Sequence, residues 1–348
     1  MMFREGQRPY VIAEIGANHN GDLALARKHI DAAKAAGADN AKFQSWDVNL
    51  FSKKVYEDNY FLSDDYRNRK DYTLKEIVAE FAVTRDDLGE LAAYCTKVGV
   101  DFASTPFAED QVEPLVTFGA PFVKIASMDV TNDRLLRVAA ETGLPVLLST
   151  GMADLGEIDR ALTILVEAKA AEIVLLHCVA VYPTPPAELN LRNITMLRNQ
   201  FGYPVGFSDH SVGIDASIAA TALGAVVIEK HFTLDNDMFG WDHKMSANPS
   251  TLGSMIKAIH AVHAMLGSEQ RRVSATEMRQ RPSFRRSVVA ARDIRAGEKI
   301  SVENTVYRRP GTGLDPSLFH LINGGTARRD IPYDTMLSLN DVLVAESK

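Results

Sequence analysis

The sequence predicts an α/β protein, a (β/α)8 barrel followed by a small β-rich domain. Eight short apolar runs alternate with helix-like stretches through the first three-quarters of the chain. Several of those runs are continuously apolar, the pattern of parallel strands covered on both faces. The remainder changes character: its short strand and turn signals occur twice over. A chain of 348 residues suits one large and one small domain.

The eight runs are YVIAEIG (10–16), NAKFQS (40–45), VDFASTP (100–106), FVKIAS (122–127), PVLLSTG (145–151), EIVLLHCVA (172–180), PVGFSDH (204–210) and AVVIEKHF (225–232). Between the first two lies GDLALARKHIDAAKAAG, with Asp22 as N-cap and Gly37 as the terminating residue. TRDDLGELAAYCTKVG opens with Thr84, places Asp87 three residues later in a capping-box pattern, and stops at Gly99. Eight such units over about 265 residues is the size of a (β/α)8 barrel. An open doubly wound sheet would place a Gly-rich turn after the first strand, whereas Gly16 is followed by ANHNG. The connection 46–83 is too long for a simple turn and reads as a functional lid or an insertion. The expected boundaries are 1–265 for the barrel, 266–283 for a polar linker and 284–348 for the tail. In that tail RDIRAGEKISVEN (292–304) parallels RDIPYDTMLSLND (329–341), each read as strand, turn and strand.

Composition narrows the function. The chain is 46% hydrophobic and 24% charged with net charge −7, which argues against nucleic acid or an anionic membrane as main partner. Cys95 and Cys178 sit inside apolar segments without metal-type spacing and are expected as buried thiols in a reducing compartment. The opening MMFREGQRPY lacks an apolar signal core, and no run reaches membrane-spanning length. The expectation is a cytoplasmic protein.

In a (β/α)8 barrel, chemistry gathers at the C-terminal ends of the strands. Read in order, those ends carry Glu14; Lys42 and Gln44; Ser104 and Thr105; Lys124, Ser127 and Asp129; Ser149 and Thr150; His177, with Tyr182 beyond it; Ser208, Asp209 and His210; and Glu229, Lys230 and His231. A single lysine at such a position is usually a solvated surface charge, and a single histidine is usually bonded to nearby backbone. Two lysines and a row of hydroxyls on one rim are a different matter. Lys42 and Lys124 with Thr105, Ser127, Ser149 and Ser208 offer what a phosphate or carboxylate needs, fixed positive charge and short donors. His210 and His231 end consecutive strands, and neighbouring strands lie about 4.8 Å apart, so two imidazoles at one height can share a divalent cation.

Together these stretches resemble the sialic acid synthases, enzymes that condense phosphoenolpyruvate with an N-acylated hexose. The matching segments are IAEIGANHNGD, AKFQS, STPF, VKIASMD, LLSTGMA, HCVAVYPTP, GFSDHS, IEKHFTLD and DHKMS, then RRSVVAARDIRAGEKIS and RRPGTG in the tail. The resemblance implies a (β/α)8 barrel with an antifreeze-like (SAF) domain, in a homodimer whose tails are swapped. It implies a phosphoenolpyruvate site at Lys42, Thr105, Lys124, Ser127, Ser149 and Ser208, with Lys42 and Lys124 counted as catalytic. It further implies metal ligation by His210 and His231, for Mn²⁺ or alternatively Mg²⁺ or Co²⁺, and a catalytic carboxylate at Glu14. Gln44, Asp129, Tyr182 and Asp242 would contact the acceptor sugar, and Arg309 would reach in from the partner's tail. Two departures, Ala180 and the loop around Asn68 and Arg69, leave the sugar open. N-acetylmannosamine is the expected acceptor; its 6-phosphate, or a diacetamido hexose leading to legionaminic or pseudaminic acid, is the alternative. Synthases of seven- and eight-carbon sugar acids lack such a tail. An ice-binding surface would want regular Thr and Ala where this tail has Arg308-Arg309-Pro310.

Overall fold

The computed structural model describes residues 2–58 and 73–343. The chain divides into two compact units, Met1–Gly267 and Ser268–Lys348.

In the first unit, eight parallel strands form one sheet: β1 Tyr10–Gly16, β2 Asn40–Gln44, β3 Asp101–Thr105, β4 Val123–Ile125, β5 Val146–Ser149, β6 Ile173–Cys178, β7 Val205–Asp209 and β8 Val227–His231. Their order is β3-β2-β1-β8-β7-β6-β5-β4, and the two end strands, β3 and β4, pack side by side to close the barrel. All eight expected runs are strands within a residue or two of their expected ends.

Side-chain alternation sorts the wall into two faces. On β1, Val11, Ala13 and Ile15 join the outer cluster under the helices, while Ile12 joins the inner one. On β5, Val146 and Leu148 go outward and Leu147 inward. The inner apolar floor combines Ile12, Ala103, Phe122, Leu147, Val174, Leu176 and Val227. Phe3 closes its lower end, with its ring 5.5 Å from Tyr10 and 6.0 Å from Phe122. Phe3 is therefore a hydrophobic plug carried by an otherwise largely exposed segment, a role the composition of that segment did not announce.

The helices begin and end where their caps predict. Asp22 accepts from the Ala24 N–H ahead of helix Leu23–Ala36, and Gly37 closes it with φ of 94°. Thr84 and Asp87 form the expected capping box, and Gly99 ends helix Arg85–Val98. The long connection is not without structure: it carries helices Lys53–Asp58 and Leu74–Phe81. Asn68 and Arg69 lie outside the described residues. Among the described residues no helix is long and apolar enough to cross a membrane.

In the second unit, Ala275–Phe284 is a helix with a Ser274–Glu277 capping box, within the segment expected as a plain linker. The capping chemistry was present in the sequence, but polarity masked it. Beyond it, the two echoing segments pair with each other and not within themselves. Ile294 and Ile331, equivalent in the two copies, exchange backbone hydrogen bonds of 2.9 and 2.8 Å. Asp330 accepts from the Ala296 N–H, and Asp293 accepts from the Tyr333 N–H, both at 2.7 Å. This arrangement has pseudo-twofold symmetry. The strand–turn–strand expected inside each copy does not form, because pairing across the pseudo-dyad buries both isoleucines with Val288, Ile300, Ile322 and Leu337.

Gly206 on β7 sits where the barrel interior leaves no room for a side chain. A Cβ there would lie 2.6 Å from Leu176 Cδ2 and 2.7 Å from the Val227 carbonyl oxygen. The Gly206→Ala variant is expected to lose about 1–3 kcal/mol of stability through overpacking. Urea unfolding checks this, and an unchanged midpoint would contradict it.

Candidate active site

Above the apolar floor the inward positions turn polar. Glu14, Lys42, Thr105, Lys124, Ser149, Ser208 and Glu229 all lie at the upper ends of their strands and are all buried. The residue that ties them together is Glu229, in register with Ser208 across the β7–β8 ladder. Its carboxylate accepts from Ser208 Oγ at 2.8 Å and lies 3.5 Å from both Lys42 Nζ and Lys124 Nζ. Lys42 also pairs with Glu14 and donates to Thr105 Oγ1 at 2.8 Å. Two ammonium groups and two carboxylates thus share one desolvated chamber.

Burial pushes the Lys42 ammonium down to about 7, with Glu229 pulling it back and Lys124 pushing the same way as burial. Burial by itself would raise the Glu229 carboxyl, but Lys124 and Lys42 overcome it and hold that group at about 2. The chamber keeps unused capacity as well. Glu14 Oε1 and Ser149 Oγ are buried without a hydrogen-bond partner among the described residues. In native interiors such atoms are usually satisfied, so orphans in the chamber mark where a ligand's polar atoms can go.

His231 follows Glu229 on the same inward phase, and His210 follows Ser208 likewise. Their rings lie 5.4 Å apart between centroids. His210 Nδ1 is 2.9 Å from the Val179 carbonyl oxygen, to which it donates, so Nε2 is the ring nitrogen left to face a ligand. Among the described residues His231 Nδ1 is buried without a hydrogen-bond partner, 3.6 Å from Asp242 Oδ2. Burial and neighbouring His210 push the His231 imidazole well below its ordinary value, so it is neutral, the form that ligates. Burial lifts the Asp242 carboxyl to about 6 against the pull of His210. An orphaned, neutral imidazole facing a second imidazole with a fixed tautomer fits a divalent cation. Among the described residues no three His, Cys, Asp or Glu side chains form a complete cage. A cation here would therefore draw further ligands from solvent or substrate.

The other expected residues fall around this centre. The Tyr182 ring lies 4.2 Å from that of His210. Ser127 accepts from the Gly151 N–H at 3.0 Å and donates to Cys178 Sγ at 3.5 Å. Asp129 accepts from Asn132 at 3.0 Å, and burial raises its carboxyl. Gln44 Oε1 accepts from Trp46 Nε1 at 2.7 Å, which leaves its NH₂ group available as a donor. Arg309 belongs to the second unit, where its guanidinium stands 5.1 Å over the Phe284 ring. His177 faces outward and bonds the Leu189 carbonyl at 2.7 Å, the backbone role common for strand-end histidines.

Sequence reasoning assigned no role to Glu229, Cys178 or Trp46. Glu229 stood in the row of rim residues, and its place two residues before His231 was the signal available. Cys178, read only as a buried thiol, lies 3.9 Å from His210 Nδ1. Trp46 stacks on Trp241 at 5.5 Å and meets Phe107 at a tilt at 4.8 Å, contacts between segments far apart in the chain.

Removing one member of a buried charge cluster leaves the others uncompensated, at about 3–5 kcal/mol. Glu229→Ala is expected to lose stability on that scale, and inorganic phosphate is expected to restore more of it than it adds to the wild type. Denaturant unfolding with and without phosphate checks this. Equal phosphate gains in both proteins would contradict an anion-binding chamber.

Comparison with known proteins bears on the same residues. A family model described as the NeuB family matches residues 29–271, and a SAF domain model matches residues 285–343. An uncharacterized protein of Methanocaldococcus jannaschii is 39% identical, covering 97% of this chain and 96% of that one. The N,N'-diacetyllegionaminic acid synthase of Campylobacter jejuni is 38% identical, covering 95% of this chain and 99% of the relative. The crystal structure of the N-acetylneuraminic acid (sialic acid) synthetase of Leptospira borgpetersenii in complex with citrate superposes with a TM-score of 0.68 at 33% identity, covering 79% of this chain and 90% of that one. With one family model matched over most of the barrel unit, a SAF domain model matched over the tail, and relatives at 38% and 39% identity over nearly the whole chain, the chain belongs to the NeuB family.

Proposed function

We propose that the protein condenses phosphoenolpyruvate with the open-chain aldehyde of an N-acylated hexose, releasing phosphate and forming a nine-carbon sugar acid. The observation that carries this reading is the buried lysine pair, Lys42 and Lys124, ringed by Thr105, Ser149 and Ser208 a short reach from two imidazoles. One half of that arrangement suits an anion, the other a cation.

Lys42 and Lys124 hold the carboxylate and phosphate, with Ser127, Ser149 and Ser208 donating, and so fix the donor's C3 against the acceptor's aldehyde carbon. Such positioning supplies several kcal/mol of barrier lowering. His210 and His231 would hold a divalent metal, Mn²⁺ first among the candidates, whose chemistry when bound is Lewis-acid polarisation of the aldehyde. C3 attacks the aldehyde carbon, water adds at C2, and the C2–O bond to phosphate breaks. Glu14 stands beside this centre to take the water's proton or to stabilise the positive charge developing at C2. Gln44, Asp129, Tyr182 and Asp242 receive the sugar. In a homodimer with exchanged tails, Arg309 of each tail serves the N-acyl group at the other barrel. A reaction that consumes phosphoenolpyruvate places the protein in the cytoplasm.

Two acceptors are in play. N-acetylmannosamine is the reading from the sequence motifs. A diacetamido hexose is favoured by the Campylobacter relative, at 38% identity over 95% of this chain.

The test is phosphate release from phosphoenolpyruvate with Mn²⁺, across N-acetylmannosamine, its 6-phosphate and the diacetamido hexoses, with and without chelator. Release with one acceptor, abolished by chelator, is expected. Release indifferent to chelator would overturn the metal assignment, and no release with any acceptor would overturn the reaction. Mixing Lys42→Ala with Arg309→Ala protein is expected to regain up to a quarter of wild-type activity if tails are exchanged. Two inactive variants that stay inactive when co-refolded would overturn the exchange.

A further inference from the structure

Directly behind the two histidines, on the outer face of the same strands, sit the residues that precede them. Asp209 and Lys230 face each other in the last rung of the β7–β8 ladder. Their side chains are fully shielded, at 0% and 1% exposure, with Lys230 Nζ 3.0 Å from Asp209 Oδ2. Asp209 Oδ1 accepts from the Ser211 N–H at 2.8 Å and from Ser211 Oγ at 2.6 Å, spanning His210. Its Oδ2 accepts from Ser217 Oγ at 2.7 Å, on helix Asp215–Ala222. Lys230 Nζ also donates to the Ser211 carbonyl.

The two histidines differ in how their backbones are held. His231 is a strand residue, in register with Glu14 of β1, and its carbonyl accepts from the Ala247 N–H at 2.7 Å. His210 lies one residue past the end of β7, beyond the last rung, and among the described residues its backbone has, outside the ladder, only the bond its carbonyl accepts from the Thr184 N–H at 3.0 Å. Its ring position follows from the dihedrals of the turn it occupies together with the bond from Nδ1 to the Val179 carbonyl oxygen. That turn is held on one side by Asp209, the last residue of β7, and on the other by Lys230, the neighbour of His231. Stability alone does not require such a pair, because a buried ion pair replaced by well-packed apolar residues is often as stable. What apolar residues cannot supply is a directional tie to the Ser211 amide and carbonyl.

We propose that Asp209 and Lys230 are positioning residues: a cross-brace behind the barrel wall that ties the turn carrying His210 to the strand carrying His231 and thereby sets the separation of the two imidazoles. The proposal rests on the reading of His210 and His231 as ligands of a divalent cation. Supporting shells of this kind typically change metal affinity by about 10–100-fold when removed.

The experiment measures Mn²⁺ binding to the whole protein by electron paramagnetic resonance, alongside inorganic phosphate binding to the metal-free protein. The variant is Asp209→Asn with Lys230→Met, which removes both charges together and keeps an acceptor for the Ser211 amide. Mn²⁺ is expected to bind about tenfold more weakly or worse, with a broadened spectrum, while phosphate affinity stays within about twofold, since Lys42 and Lys124 lie on other strands and Ser208 and Glu229 keep their own rung of the ladder. Should that variant not fold, Asp209→Asn alone is read the same way, with a smaller loss expected. Mn²⁺ affinity within twofold of wild type would overturn the brace. So would an equal weakening of phosphate, which marks general loosening of the barrel. His210→Ala and His231→Ala are the reference. Wild-type protein that binds Mn²⁺ no better than they do would overturn the metal reading itself, and the brace with it.

Discussion

The interaction on which the rest of the structure depends is charge balance inside the barrel. Glu14 and Glu229 face Lys42 and Lys124 in a chamber from which water is largely excluded. None of these groups could be buried alone, because an unpaired ion in such a place costs several kcal/mol. Together they are tolerated, and they cannot be removed singly. The apolar floor beneath them keeps the interior filled, so the polar layer is pressed to the upper mouth. The anion-accepting character of the mouth follows from the same balance: Lys42 and Lys124 are held close to carboxylates that an incoming anion can partly replace.

Strand alternation then gives the wall two kinds of chemistry, one on each face. On β8, Glu229 and His231 look into the chamber while Lys230 between them looks out, and on β7 Ser208 and Asp209 divide the same way. The inner residues present charge and lone pairs to a ligand. The outer pair spends its hydrogen bonds on the turn beyond β7. A single dipeptide unit, polar residue then histidine, thus carries both a reactive group and its support.

The second unit answers to a different constraint. It is too small for a deep core, and it doubles one short motif about a pseudo-dyad so that each copy covers the other's isoleucine. Its regular strands are short, two antiparallel pairs supplemented by single bridges, of which Ile294 with Ile331 joins the two copies.

What could be read from the amino-acid order was whatever depends on neighbours in the chain. Strand runs, the caps at Asp22, Thr84 and Gly37, and the repeat in the tail are local patterns, and period-two alternation made the rim residues countable strand by strand. The pairing of Lys42 with Glu14 and Glu229, the stacking of Trp46 on Trp241 and the tie from Lys230 to Ser211 were not legible. Each joins side chains that lie adjacent only once eight strands have closed at a particular register. The helix at Ala275–Phe284 was hidden for the converse reason, a polar surface with little apolar periodicity. By itself the sequence determined the (β/α)8 framework, the polar rim and the two histidines. Only the tertiary structure decided which charges neutralise one another and which side of the wall each faces, because desolvation and ladder register are properties of the closed barrel and of no single segment.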